Sequence, residues 1–208
     1  MDPSVDPAAI VHLVDDDDGV RESMQFLLES EGFAVRAYAG AQALLDAVLP
    51  PAGCVVIDLH MPGIDGLQLQ SILNARGCAL PVVVMTGFAE VSTAVRAMKA
   101  GAVDFLEKPC KPAQIVAVVR RSLEQNRQAL EAAAATEDAE RRIAGLTPRE
   151  QEVLALLTAG NSTKEIARTL GASPRTIDVH RARVFQKLRV ESLPELVHLT
   201  MAAKRGGG

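Results

Sequence analysis

Cys54-Val55-Val56-Ile57-Asp58 runs four apolar residues into a carboxylate, and Leu59-His60-Met61-Pro62-Gly63 then turns the chain away. A short continuous apolar run bounded by Pro and Gly reads as a strand buried on both faces. Taken alone, Asp58 is as easily a turn or N-cap aspartate as a functional one, because Asp is common where strands end. The rest of the chain decides. Ile10 to Val14 is a second such run, followed at once by Asp15-Asp16-Asp17-Asp18. Phe33 to Tyr38, Pro81 to Met85 and Ala102 to Leu106 read as three more strands, the last two leading into Thr86-Gly87 and Lys108-Pro109. Between them lie helical stripes: Met24, Leu27 and Leu28; Ala43, Leu44, Leu45 and Val48; Leu67, Leu69, Ile72 and Leu73; then Val91 to Ala100, stopped by Gly101. A further helix starts near Pro112. This alternation predicts an α/β fold, a parallel sheet with helices on both faces.

In such a sheet the working site lies outside the carboxyl ends of the strands, at the topological switch point. Four predicted strand ends carry polar groups: Asp15 with Asp16, Asp58, Thr86 and Lys108. Clustered carboxylates repel and raise one another's pKa, a cost that a bound cation removes. An all-oxygen donor set suits Mg²⁺. Lys108 supplies a compact positive charge for a phosphoryl group, and Thr86 a hydroxyl. Asp58 is then a nucleophile able to form an acyl phosphate. The arrangement predicts phosphoryl transfer by positioning and charge, with no Walker-A loop.

The 208 residues are 48% hydrophobic, enough for real cores. Their net charge of -4 hides an asymmetry. Residues 1–146 hold 12 Lys+Arg against 20 Asp+Glu, net -8; residues 147–208 hold 10 against 6, net +4. An acidic part and a basic part predict two domains, the second meeting nucleic acid. Cys54, Cys78 and Cys110 are odd in number and read as reduced thiols of an intracellular protein. No signal peptide or run of 18 apolar residues is present, so a cytoplasmic protein without membrane contact is expected.

After residue 125 the stripe of Ile115, Val118, Val119 and Leu123 gives way to an Ala/Glu/Arg tract. Ala is the best helix former, so a connecting helix is expected, solvated or flexible rather than a coiled coil. Thr147-Pro148-Arg149-Glu150 is a capping box with Pro at the first helical position, and Ser162-Thr163-Lys164-Glu165 is another. Ser173-Pro174 starts a third helix and Ser192-Leu193-Pro194-Glu195 a fourth. Short helix, Gly171-containing turn and capped helix form a helix-turn-helix pattern. On the third helix Ile177, Val184 and Leu188 must face the core. Opposite lie Arg175, Val179, Ala182, Arg183 and Gln186, a face suited either to solvent or to a major groove.

Residues 8–125 resemble the receiver domain of bacterial two-component response regulators. The resemblance rests on Val14-Asp15-Asp16, Asp58-Leu59-His60-Met61-Pro62-Gly63-Ile64-Asp65-Gly66, Met85-Thr86-Gly87, Met98-Lys99-Ala100-Gly101-Ala102 and Lys108-Pro109. It implies a flavodoxin-like sheet of order 2-1-3-4-5 and phosphorylation of Asp58 by a sensor histidine kinase. It also implies Mg²⁺ on Asp15, Asp16, Asp58 and the His60 carbonyl, a switch pair of Thr86 and Phe105, and a cis Lys108-Pro109 bond. Residues 146–208 form an all-α domain that resembles the LuxR-type DNA-binding domain, in its FixJ-like branch. The match runs through Leu146 to Leu154, Lys164-Glu165-Ile166-Ala167 and Thr176-Ile177-Asp178-Val179-His180, with Asp178 standing where many relatives carry Lys. Residues 126–145 are the expected helical linker.

The expected protein is therefore a transcriptional response regulator rather than an enzyme. Its expected partners are a histidine kinase, double-stranded DNA, RNA polymerase and, when phosphorylated, a second copy. Lys164, Arg168, Arg175, Thr176, Val179, Arg183 and Gln186 are the expected DNA contacts. Val95, Lys99, Leu193, Leu196 and Val197 are the expected dimer contacts. Two other readings stay open. A haloacid-dehalogenase-type phosphatase also joins an Asp nucleophile to Mg²⁺, but needs a second Asp where His60 stands. A signalling protein acting only through protein contacts would fail a DNA-binding test of residues 140–208. Phe88 and His60 flank the expected path of hydrolytic water, and shielding by Phe88 predicts a phosphorylated state lasting minutes to hours.

Overall fold

The computed structural model describes residues 8–87 and 91–206. In chain order these form β1 (Ile10–Val14), α1 (Asp18–Ser30), β2 (Ala34–Tyr38), α2 (Ala41–Leu45), β3 (Gly53–Asp58), α3 (Gly66–Ala75), β4 (Val82–Thr86), α4 (Val91–Lys99), β5 (Asp104–Glu107) and α5 (Pro112–Ala144). Then come α6 (Pro148–Thr158), α7 (Thr163–Thr169), α8 (Pro174–Leu188) and α9 (Leu193–Gly206). The chain divides into two compact units between Leu130 and Glu131, inside α5.

In the first unit the strands pair in parallel in the order β2-β1-β3-β4-β5. Central strands of such a sheet have no solvent face, which is why β3 and β4 are buried at every position. The two-residue period still sorts their side chains. Val14, Val55, Ile57, Val82 and Val84 pack with Ala41, Leu44, Leu69, Leu73 and Ala97 of α2, α3 and α4. Val11, Leu13, Cys54, Val56, Val83 and Met85 pack with Leu28 of α1 and Ile115, Val119 and Leu123 of α5. Each fully buried aliphatic side chain contributes roughly 1.5–3 kcal/mol.

The fifth strand begins two residues later than its apolar run predicts. Gly101, at φ +94, closes α4, and Ala102 N–H donates to the Ala97 carbonyl at 3.1 Å. Ala102 is thereby spent on ending the helix, and Val103 N–H, bonded to the Val82 carbonyl at 2.8 Å, leads the chain into β5.

In the second unit the caps fall where the sequence places them. Thr147 and Ser162 each form a complete capping box, with Glu150 and Glu165 respectively, and Ser173 accepts from Thr176 N–H. The core gathers Val153, Leu154, Leu157, Ile166, Ile177, Val184, Leu188 and Leu196. The Ala/Glu/Arg tract is not wholly solvated. It is the continuous end of α5, with Ala139 buried and Ile143 packed on this core. Leu196 needs correction as a dimer contact: it is fully buried in its own unit, because α9 turns this residue and Leu199 inward against α6. Leu193 stays 40% exposed, and Val197 is half-buried. Among the described residues, no helix is long and apolar enough to cross a membrane.

Candidate functional site

The sheet carries four groups to one edge. Asp15 follows β1, Asp58 ends β3, Thr86 ends β4 and Lys108 follows β5. Their register is set by the ladder, with Val14 opposite Ile57, Asp58 opposite Met85, and Thr86 opposite Glu107. The loop after β3 is equally fixed. Leu59 N–H donates to the Met85 carbonyl at 2.8 Å, and Gly66 N–H returns to the Leu59 carbonyl at 2.9 Å. Gly66 opens α3 so close to this loop that a Cβ there would lie 2.5 Å from the Asp58 carbonyl oxygen. Only glycine lets the helix start against that backbone.

Lys108 Nζ lies 2.6 Å from Asp15 Oδ2 and 3.0 Å from Asp58 Oδ1, so one ammonium bridges two carboxylates. Asp15 is fully buried and Asp58 nearly so, while Asp16 is exposed. Asp15 Oδ1 also accepts from Asp17 N–H at 3.0 Å, and Asp17 in turn caps α1 through Val20 N–H. Carboxylate oxygens of Asp15, Asp16 and Asp58 all lie within 4.8 Å of one another. Burial pushes the Asp58 carboxyl above its ordinary pKa. The Lys108 hydrogen bond and charge oppose that rise, and the charges of Asp15 and Asp16 add to it. Burial alone would lower the Lys108 ammonium, but its hydrogen bonds to Asp15 and Asp58 and their charges outweigh this and raise it. The Lys108-Pro109 peptide is cis.

Thr86 is fully buried, and its Oγ1 lies 3.2 Å from Nδ1 of the exposed His60. Phe105 is half-buried and packs on the α2–α3–α4 side of the sheet. Val95 and Lys99 are exposed on α4. Phe88 lies outside the described residues.

In the second unit α7 and α8 form the helix-turn-helix. Lys164 and Arg168 on α7, and Arg175, Thr176, Val179, Arg183 and Gln186 on α8, are all exposed, while Ile177, Val184 and Leu188 hold α8 to the core. Thr176 also has a local role, its hydroxyl meeting Ser173 Oγ at 2.8 Å in the helix cap. Asp178 accepts from the Thr163 hydroxyl at 3.4 Å, so the acidic position tethers α7 to α8.

Both halves match known families. The model described as "Response regulator receiver domain" matches residues 11–120, and "Bacterial regulatory proteins, luxR family" matches residues 144–200. The chain belongs to the response regulators. It is 51% identical over 194 residues to transcriptional regulatory protein FixJ of Azorhizobium caulinodans, covering 93% of this chain and 92% of that protein. FixJ of Rhizobium meliloti is 41% identical over 198 residues, covering 94% and 97%. Among solved structures, response regulator StyR is 39% identical with a TM-score of 0.82, covering 93% of this chain and 98% of that one. Full-length FixJ from B. japonicum is 44% identical with a TM-score of 0.60, covering 96% and 99%.

This response regulator is thus a FixJ-like transcriptional regulator of a two-component system, whose two domains imply a histidine kinase and DNA as partners. Several residues of these domains escape a reading by sequence. Glu150 is one. Besides its capping box it takes the Lys187 ammonium at 2.6 Å, and these bonds, Lys187 first and Thr147 N–H next, hold its carboxyl down to about 2. Arg142 of α5 donates to the Leu188 carbonyl at 3.1 Å, at the end of α8. Asn126 Oδ1, buried, accepts from Gly53 N–H at 2.9 Å and anchors the start of β3.

Proposed function

We propose that a partner histidine kinase phosphorylates Asp58, and that the phosphorylated protein dimerises and binds a specific two-fold-related DNA site to control transcription with RNA polymerase. The observation that carries this is the Lys108 ammonium bridging Asp15 and Asp58 at the carboxyl edge of the sheet. An Asp58 oxygen attacks the phosphorus of the phosphohistidine. A P–O bond forms, the P–N bond breaks, and the imidazole leaves with a proton. Once Asp58 is phosphorylated to the acyl phosphate, Lys108 keeps Asp15 and turns its remaining donors to a phosphoryl oxygen. Thr86 donates its hydroxyl to another.

The three carboxylates fit Mg²⁺, being an all-oxygen set with Asp16 open to water. Asp15, Asp16 and Asp58, with the His60 carbonyl, would hold it, and it would neutralise charge on the transferring phosphoryl group. The protein works in the cytoplasm as a regulator and not as an enzyme.

Thr86 and Phe105 shift together between two populations, changing the α4–β5 face that carries Val95 and Lys99. Sedimentation velocity should show the monomer fraction falling when acetyl phosphate and Mg²⁺ are added. An unchanged fraction would count against dimer control.

On the DNA side, the exposed face of α8 enters the major groove, and Lys164 and Arg168 meet the backbone. Arg183→Ala should weaken binding to a selected site by about 1–3 kcal/mol while sparing random DNA, as expected of a base contact. Equal loss on both would mark Arg183 as a phosphate contact.

A further inference from the structure

We propose that His60 is a positioning residue that restrains the Thr86 hydroxyl in the resting protein, so that an incoming phosphoryl group must displace the imidazole. The inference rests on the phosphoacceptor reading of Asp58. Its starting point is the 3.2 Å contact between His60 Nδ1 and Thr86 Oγ1.

The backbone makes this contact an outcome of the fold. Leu59, the residue before His60, is pinned by its N–H to the carbonyl of Met85, the residue before Thr86. Met61, the residue after His60, is buried in the core beneath the loop. With both neighbours fixed, the His60 backbone is held at the end of β4, and its imidazole reaches Thr86 Oγ1 from there.

Chemistry supplies the competition. A hydroxyl has one proton. On this proposal the resting Thr86 hydroxyl gives its proton to His60 Nδ1, the direction that the 3.2 Å contact takes when the imidazole is neutral and carries its own proton on Nε2. A phosphoryl oxygen on Asp58 needs the same proton. Thr86 is fully buried, so no bulk water takes the place of whichever acceptor it gives up. His60 therefore sets how much of the phosphoryl binding energy is consumed in turning the switch. Its main-chain carbonyl, the expected metal contact, is a separate group that side-chain replacement leaves in place.

The test is titration of the full chain with beryllofluoride, at saturating Mg²⁺, followed by the amide signals of residues 86 and 58. His60→Ala should bind the mimic about 5-fold more tightly, the factor carried by one neutral hydrogen bond of ordinary net strength. His60→Asn, whose terminal oxygen or nitrogen stands in for Nδ1, should stay within about twofold of wild type. In a Thr86→Val background, His60→Ala should have no effect, since the hydroxyl is gone; this cycle separates the Thr86 bond from any other role of the ring. Unchanged or weaker binding by His60→Ala would overturn the proposal, as would the same gain in the Thr86→Val background. A wild-type protein that does not respond to the mimic would overturn the phosphoacceptor reading itself, and the role of His60 with it.

Discussion

Asp58→Asn will abolish labelling by acetyl phosphate, and at neutral pH it will leave the fold more stable than the wild type. The first result follows from chemistry, because an amide oxygen does not displace a phosphodonor's leaving group as a carboxylate does. The second follows from electrostatics. Burial and the charges of Asp15 and Asp16 outweigh Lys108 and raise the Asp58 pKa, so the ionised carboxylate is less favourable in the folded state than in the unfolded one. That cost is absent below the ordinary carboxylate range. It grows as pH rises through the window between the ordinary and the raised value, and it is constant above. The neutral amide, close in shape, escapes it. Thermal unfolding of both proteins at pH 7 and pH 4 should show the gain of the Asn variant shrinking with acidification. Retained labelling at the wild-type level would move the phosphoacceptor elsewhere. Loss of stability at pH 7 would show that the Lys108–Asp58 bond outweighs the burial of the charge.

Lys108→Met acts in the opposite sense on stability. Its ammonium is the shared partner of two carboxylates, one of them fully buried. Removing one member of a buried pair leaves an uncompensated charge, typically at about 3–5 kcal/mol; partial solvent contact at Lys108 places this variant toward the lower end. Asp58 also loses both influences that lower its pKa, so that pKa rises further. The deficit should therefore ease as pH falls and Asp58 takes up a proton. The same variant should be stabilised by Mg²⁺ more than the wild type is, because a cation replaces the missing charge. Chemical denaturation at pH 5 and 7, with and without Mg²⁺, checks all three expectations. A variant as stable as wild type at pH 7 would mean that the bridge contributes nothing net to the resting site.

What the sequence made readable was whatever local chemistry or a two-residue period imposes. β3 and β4 announce themselves because strands buried on both faces must be apolar throughout. Thr147, Ser162 and Ser173 announce helix starts because a cap satisfies an N–H three residues ahead. Strand ends gather Asp15, Asp58, Thr86 and Lys108 because a parallel sheet leaves them nowhere else to go. Long-range pairings had no such signal. The Gly53–Asn126 bond spans 73 residues and the Glu150–Lys187 bond 37, and neither partner looks unusual in its own stretch. Leu196 shows a different failure. An apolar residue at helical spacing says that one face is covered, but its own core and a second copy leave the same pattern. The start of β5 failed because Ala102 and Val103 suit a strand by composition, while closure of α4 claims the first of them.

The coupling between Asp58 and DNA is tested most directly by one comparison of affinities. The full-length protein and Asp58→Asn are titrated onto a DNA site selected with the phosphorylated protein, at fixed salt and Mg²⁺, with and without acetyl phosphate. The wild type should gain between about 5- and 150-fold on addition of the phosphodonor, the usual range of coupling between two sites, and Asp58→Asn should gain nothing. Equal wild-type affinity in the two conditions, or a gain retained by Asp58→Asn, would contradict the control of DNA binding by phosphorylation of Asp58.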